Sequence, residues 1–104
     1  MNVTRINRFE AKEGMAINLH EFLMSIVPLI EQSQGCASCQ VLQNQENHNE
    51  FVVIEEWGSV SAHQASAKNI PPEKIRAVMP LLANAPNGSY YGEGPPKVAS
   101  ENRE

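Results

Sequence analysis

The chain has no long apolar run, no basic cluster and little cysteine. Its 104 residues include two cysteines, three histidines and a single tryptophan. Each scarcity excludes something. No stretch approaches the roughly 18 apolar residues that a membrane-spanning helix needs. The most apolar segment near the start is interrupted by Asn18, His20 and Glu21, so no secretory leader is expected. Eight Lys and Arg stand against twelve Asp and Glu, a net charge of −4. Nucleic acid and anionic membrane surfaces both require a positive patch, and neither is an expected partner. With two cysteines and no leader, the expected location is the cytoplasm.

What is present describes a folded, soluble chain: 41% hydrophobic and 19% charged residues. The length suits one domain, expected over residues 1–93, with a polar, Pro/Gly-rich flexible tail over 94–104, GPPKVASENRE. So short a chain buries about two-thirds of its unfolded surface, and dimerisation would enlarge its core.

Residues 3–11, VTRINRFEA, read as a strand, with Val3, Arg5, Asn7 and Phe9 on one face and Thr4, Ile6 and Arg8 on the other. Both faces carry apolar residues, which predicts a sheet covered on both sides. Met15, Leu19, Phe22, Leu23, Ile26 and Ile30 recur at helical spacing, so a helix is predicted over 15–33, kinked near Met24–Pro28. Gly35 stops it. Strands at 37–44 and 51–57 flank a polar loop and form a hairpin. Ser59 caps a short helix at 60–68. Pro72 opens another, reaching Ala83 with a bend at Pro80, before a last strand at 88–92.

This order is that of a ferredoxin-like α+β fold, an antiparallel sheet with helices on one face. The other face, with Ile6, Val52 and Ile54, then needs a partner, and a sheet-to-sheet homodimer is expected.

Few residues carry chemistry. Cys36 and Cys39 are spaced C-x-x-C, but on a regular strand they would point to opposite faces about 10 Å apart, too far for a disulfide. No second pair supports zinc. His20, His48 and His63 form no metal set. His63 shares a helical stripe with Val60, Ala67 and Ile70 and is expected to face inward. There it is either a core histidine satisfied by a carbonyl or a proton-transfer group. Asn7 sits between Arg5 and Phe9 on an apolar face, so it bonds a backbone group or enters a pocket. Trp57, on a face with Val53 and Glu55, is core or cavity wall. Of Tyr90 and Tyr91, one should face solvent.

Over residues 3–92 the chain resembles the antibiotic biosynthesis monooxygenase superfamily of dimeric α+β barrels. INRFEAKEGM, QGC and FVVIEEWGSVSAHQAS carry the resemblance. It implies two subunits pairing their sheets, each with a pocket between sheet and helices. It implies a cofactor-independent oxygenase of quinols or aromatic polyketide-like molecules, with dioxygen as co-substrate and no metal. The alternative on this scaffold is a non-catalytic dimer binding a small hydrophobic ligand. By position, Asn7 would hold a substrate or oxygen atom, Trp57 would wall the ring, and His63 would take the phenolic proton. Phe9, Phe22 and Met79 would contact the substrate. A third and less favoured reading is heme binding or degradation: a heme-degrading branch uses an Asn on the first strand and a Trp ending a later strand, matched by Asn7 and Trp57, but places its histidine about one turn beyond His63, where this chain has Ala67.

Overall fold

The computed structural model describes residues 2–94. Of the expected tail, only Gly94 falls among the described residues. Four strands, β1 (Val3–Glu10), β2 (Cys36–Gln43), β3 (Glu50–Trp57) and β4 (Asn87–Tyr91), form one sheet in the order β2-β3-β1-β4. Every neighbouring pair is antiparallel. Three helices accompany it: α1 (Ala16–Glu31), α2 (Val60–Ser66) and α3 (Pro72–Val78). The ferredoxin-like α+β arrangement is the one the pattern of elements predicts.

The helix α1 follows from its spacing. Leu19, Leu23, Ile26 and Ile30 recur every three or four residues and all are buried, while Met15 and Phe22 are half-buried. Burying each such side chain contributes about 1.5–3 kcal/mol. The helix continues through Pro28 to Glu31, although Pro28 has no N–H to give the ladder. Pro28 and Met24 both lie exposed, so water can serve the carbonyl that lacks a partner.

Gly35 ends the turn after α1 with φ 91°, and a Cβ there would stand 2.7 Å from that of Ala62. The position therefore needs glycine on two counts, conformation and close approach.

The second half of the chain departs from its predicted lengths. Ser59 caps α2 as expected, its side chain accepting the Ala62 N–H at 3.1 Å. The helix ends at Ser66 and tightens into a 3-10 turn over Ala67–Asn69. Likewise α3 stops at Val78, and Met79–Leu81 form a second 3-10 turn instead of continuing to Ala83. Pro80 has no N–H to donate and crowds the preceding turn, so it terminates the helix where a bend was expected.

The core lies between α1 and one sheet face, where Phe9, Phe51, Val53 and Trp57 are buried, with Val78 and Leu82 closing one side. The opposite face carries half-buried Ile6, Val52 and Ile54 and exposed Leu42 and Tyr91. Among the described residues, no helix is long and apolar enough to cross a membrane.

Candidate active site

The sheet register sorts the inward side chains into transverse rows. Phe9 pairs with Phe51, and Gln43 continues that row beyond Phe51. One row over, Asn7 lies between Val53 and Gly88. In the next row Arg5 lies between Glu55 and Tyr90, and Cys39 continues it beyond Glu55. The chemistry is concentrated in that row, and α2 sets His63 above it.

Glu55 is 6% exposed. Its Oε1 accepts the Trp57 indole N–H at 2.8 Å and lies 4.0 Å from His63 Nε2. Burial pushes the Glu55 carboxyl pKa up, while the indole bond and the Arg5 charge pull it back. His63 Nδ1 is 2.6 Å from the Tyr90 hydroxyl. With the imidazole proton on Nε2, facing the carboxylate, Nδ1 accepts from the phenol. Burial, and then the Arg5 charge, holds the His63 pKa below its usual value, so the ring is neutral at neutral pH. Its ring meets those of Trp57 and Tyr90 edge-on, with centroids 5.4 and 5.3 Å away. Tyr90 and His63 are thus hydrogen-bonded, and the Glu55 carboxylate faces the other edge of the imidazole at 4.0 Å, beyond direct hydrogen-bond reach.

Glu55 and His63 border a cavity of about 270 Å³. Arg5, Asn7, Glu55 and His63 supply its polar side, and Phe9, Val53, Ile26, Ile30, Ile70 and Ile75 its apolar side. A one-sided arrangement of this kind binds an apolar body and fixes one polar end. A broader, open groove of about 700 Å³ runs between Gln34–Gly35 and α2. Serines, Lys68 and Asn69 line much of it, and neither Glu55 nor His63 lines it.

The predicted residues distribute unevenly around the cavity. Asn7, Phe9 and His63 line it. Trp57 does not: it is fully buried, and it acts on the site through its bond to Glu55. Phe22 is half-buried against the core and Met79 is 54% exposed, both outside the lining. Ala67 lines the cavity one turn beyond His63. Arg5, Glu55 and Tyr90 escaped the sequence reading, although Arg5 and Glu55 carried a signal as charged residues on otherwise apolar strand faces. Tyr90 is the inward tyrosine of its pair, and Tyr91 is exposed.

The cysteine geometry also needs correction. A β-bulge between Cys36 and Ser38 shifts the register, so Cys36 faces Trp57 and Cys39 faces Glu55. Both thiols therefore share the inner sheet face, half-buried and free. The extra residue resets the alternation that would have separated them. Burial, reinforced by Glu55, raises both thiol pKa values, that of Cys39 to about 12, which makes them poor nucleophiles. Among the described residues no group of three His, Cys, Asp or Glu is placed to hold a metal.

Comparison with known proteins places this geometry in context. Among solved structures, Rv0793 from Mycobacterium tuberculosis is 18% identical with a TM-score of 0.78, the match covering 92% of this chain and 98% of that one. A conserved protein from Methanosarcina mazei is 14% identical with a TM-score of 0.79, covering 90% and 94%. SnoaB, a cofactor-independent oxygenase from Streptomyces nogalater solved as a mutant, is 16% identical with a TM-score of 0.75, covering 91% and 95%. At these identities the likeness is one of fold. No curated protein matches the chain in sequence. The antibiotic biosynthesis monooxygenase family matches residues 2–84, spanning every element except β4, and the chain belongs to that family.

Proposed function

We propose that the protein is a cofactor-independent monooxygenase that oxidises a quinol-like or aromatic polyketide-like small molecule in the 270 Å³ cavity. The observation that carries this reading is the buried Glu55 carboxylate facing the half-buried, hydrogen-bonded His63–Tyr90 pair at the polar side of an apolar cavity. An electron-rich phenol gives its proton to Glu55, a carboxylate whose basicity burial raises. The phenolate then passes an electron to dioxygen, and the radical pair combines at a ring carbon bearing hydrogen to a peroxide anion, which takes the stored proton from Glu55 and becomes a hydroperoxide. Glu55 then removes the hydrogen of that ring carbon as a proton, the C–H electrons form the new carbonyl as the O–O bond breaks, and the departing hydroxide takes that proton to leave as water, giving a quinone. Substrate and dioxygen supply all the electrons. Asn7 and Arg5 stabilise the anionic oxygen, the apolar wall orients the ring, and His63 with Tyr90 moves the proton.

The same reading includes a homodimer, supported by the apolar outer face of Ile6, Val52, Ile54 and Leu42. A monomer by light scattering at micromolar concentration would remove it.

Oxygen uptake with a panel of hydroquinones tests the activity. Turnover is expected with at least one, with kcat/KM falling about 10²- to 10⁴-fold in Glu55→Gln, the range for loss of a positioned acid–base group. A silent panel with retained ligand binding would replace the oxygenase reading by that of a non-catalytic binding dimer.

A further inference from the structure

Arg5 and Glu55 are directly opposed on neighbouring strands and share the inner face. Opposite charges so placed ordinarily pair, yet among the described residues these two form no salt bridge. The Arg5 guanidinium instead lies over the Tyr90 ring, 4.6 Å from its centroid. It occupies the space left by Gly88, where a Cβ would fall 2.7 Å from Arg5 Cζ and 2.9 Å from Asn7 Oδ1. Its Nε is buried and has no hydrogen-bond partner. A buried donor left unpaired beside a cavity is costly, and more so on a charged group.

We propose that Arg5, braced by Tyr90 and given room by Gly88, determines the ligand's chemical class: a planar molecule of one or two rings bearing an anionic oxygen, a phenolate or a carboxylate. The size follows from the volume. An apolar cavity of about 150 Å³ holds benzene, so about 270 Å³ accommodates two fused rings. The sign of the charge follows from Arg5, the one cation lining the cavity among the described residues. Glu55 opposes an anion when ionised, whereas neutral His63 does not. The inference rests on this cavity being the ligand site, not on oxygenase chemistry.

Three probes test it: para-nitrophenol, which changes colour on ionising, a naphthoate, and the corresponding uncharged naphthyl alcohol. The bound nitrophenol should ionise about one pH unit below its value in water, a tenfold shift, as expected beside an opposite charge. The naphthoate should bind about tenfold more tightly than the alcohol. Arg5→Met should abolish both preferences and leave alcohol binding unchanged. Should that variant unfold, Gly88→Ala keeps the charge but displaces the guanidinium, and should weaken only the anions. A response confined to the phenol identifies the anionic group as phenolate, and one confined to the naphthoate as carboxylate. Equal affinity for naphthoate and alcohol with nitrophenol bound neutral would overturn the proposal. So would an anion preference that survives both substitutions, or failure of all three probes to bind at millimolar concentration. Anion binding without oxygen uptake would sink the oxygenase reading while supporting this one.

Discussion

The two ends of the inner sheet face differ in their cover. At one end α1, sixteen residues long, lays Leu19 and Leu23 over Phe9 and Phe51. At the other, Ile26 and Ile30 near the end of α1 share the roof with the seven-residue helices α2 and α3 and the 3-10 turn over Ala67–Asn69. A long amphipathic helix fills a sheet surface continuously. Two short pieces broken by prolines cannot, and the space they leave is where Arg5, Asn7, Glu55 and His63 meet. In this molecule the site is a consequence of where helix formation fails.

That contrast can be broken by experiment, and the packed end should give the largest effect. Phe51→Ala should cost about 3–5 kcal/mol in urea unfolding, as for other buried aromatics. Ile75→Ala at the half-exposed cavity rim should cost less than about 1 kcal/mol. Comparable losses would show that the cavity end is packed as tightly as the core.

A middle-sized effect is expected at the junction of the two ends. Trp57→Phe keeps an aromatic ring but removes the donor to buried Glu55, costing about 1–3 kcal/mol. Because that bond favours the ionised carboxylate, the acidic limb of the pH–rate profile should move to higher pH. An unshifted limb would mean that the indole does not tune Glu55. Smaller still, Ser59→Ala should lower stability by about 1 kcal/mol through loss of the α2 cap, with ligand binding weakened because His63 rides on that helix. Full stability on thermal melting would show that tertiary contacts alone hold α2.

The subtlest test is pH. The folded pKa of Glu55 lies above its ordinary 4.5, so its contribution is full below that value and is lost as pH rises through the folded pKa. Glu55→Gln should therefore gain stability relative to the parent as pH rises across the weakly acidic range. His63 runs the other way. Its folded pKa lies below 6.5, so its contribution is present above 6.5 and is lost as pH falls through the folded value. Paired urea titrations of parent and variant across this range would expose the crossing trends. A constant difference between them would show that Glu55 is not desolvated.

Much of the architecture was legible in the chain. Period-two alternation in FVVIEEW and period-3.6 recurrence in α1 fix the faces that Phe51, Trp57, Leu19 and Ile26 present, and the Ser59 cap and Gly35 stop are local signals. The site was only partly legible. Asn7 and His63 could be assigned to an inward face because alternation and helical spacing say so. The choice between Glu55 and Glu56 was also readable by parity, since Glu55 shares the face of Trp57. The contact of Tyr90 with Arg5 was not, because it depends on β4 pairing with β1, a long-range register that no local pattern states. The bulge at Cys36–Ser38 was hidden for the same reason: an extra residue in one strand shows itself only against its partner. The resemblance implies Met79 and Phe22 as ligand contacts, but Met79 lies exposed beside Pro80 and Phe22 packs against the core, both outside the cavity lining.

The position of Trp57 has an optical consequence. It is the only tryptophan in the chain, it is shut away from water, and it touches both titrating groups of the site. Protonated imidazole and protonated carboxyl groups both quench indole emission. Its fluorescence therefore reports the ionisation of Glu55 and His63 from within, with no label attached, and the chain carries its own gauge of the state of its site.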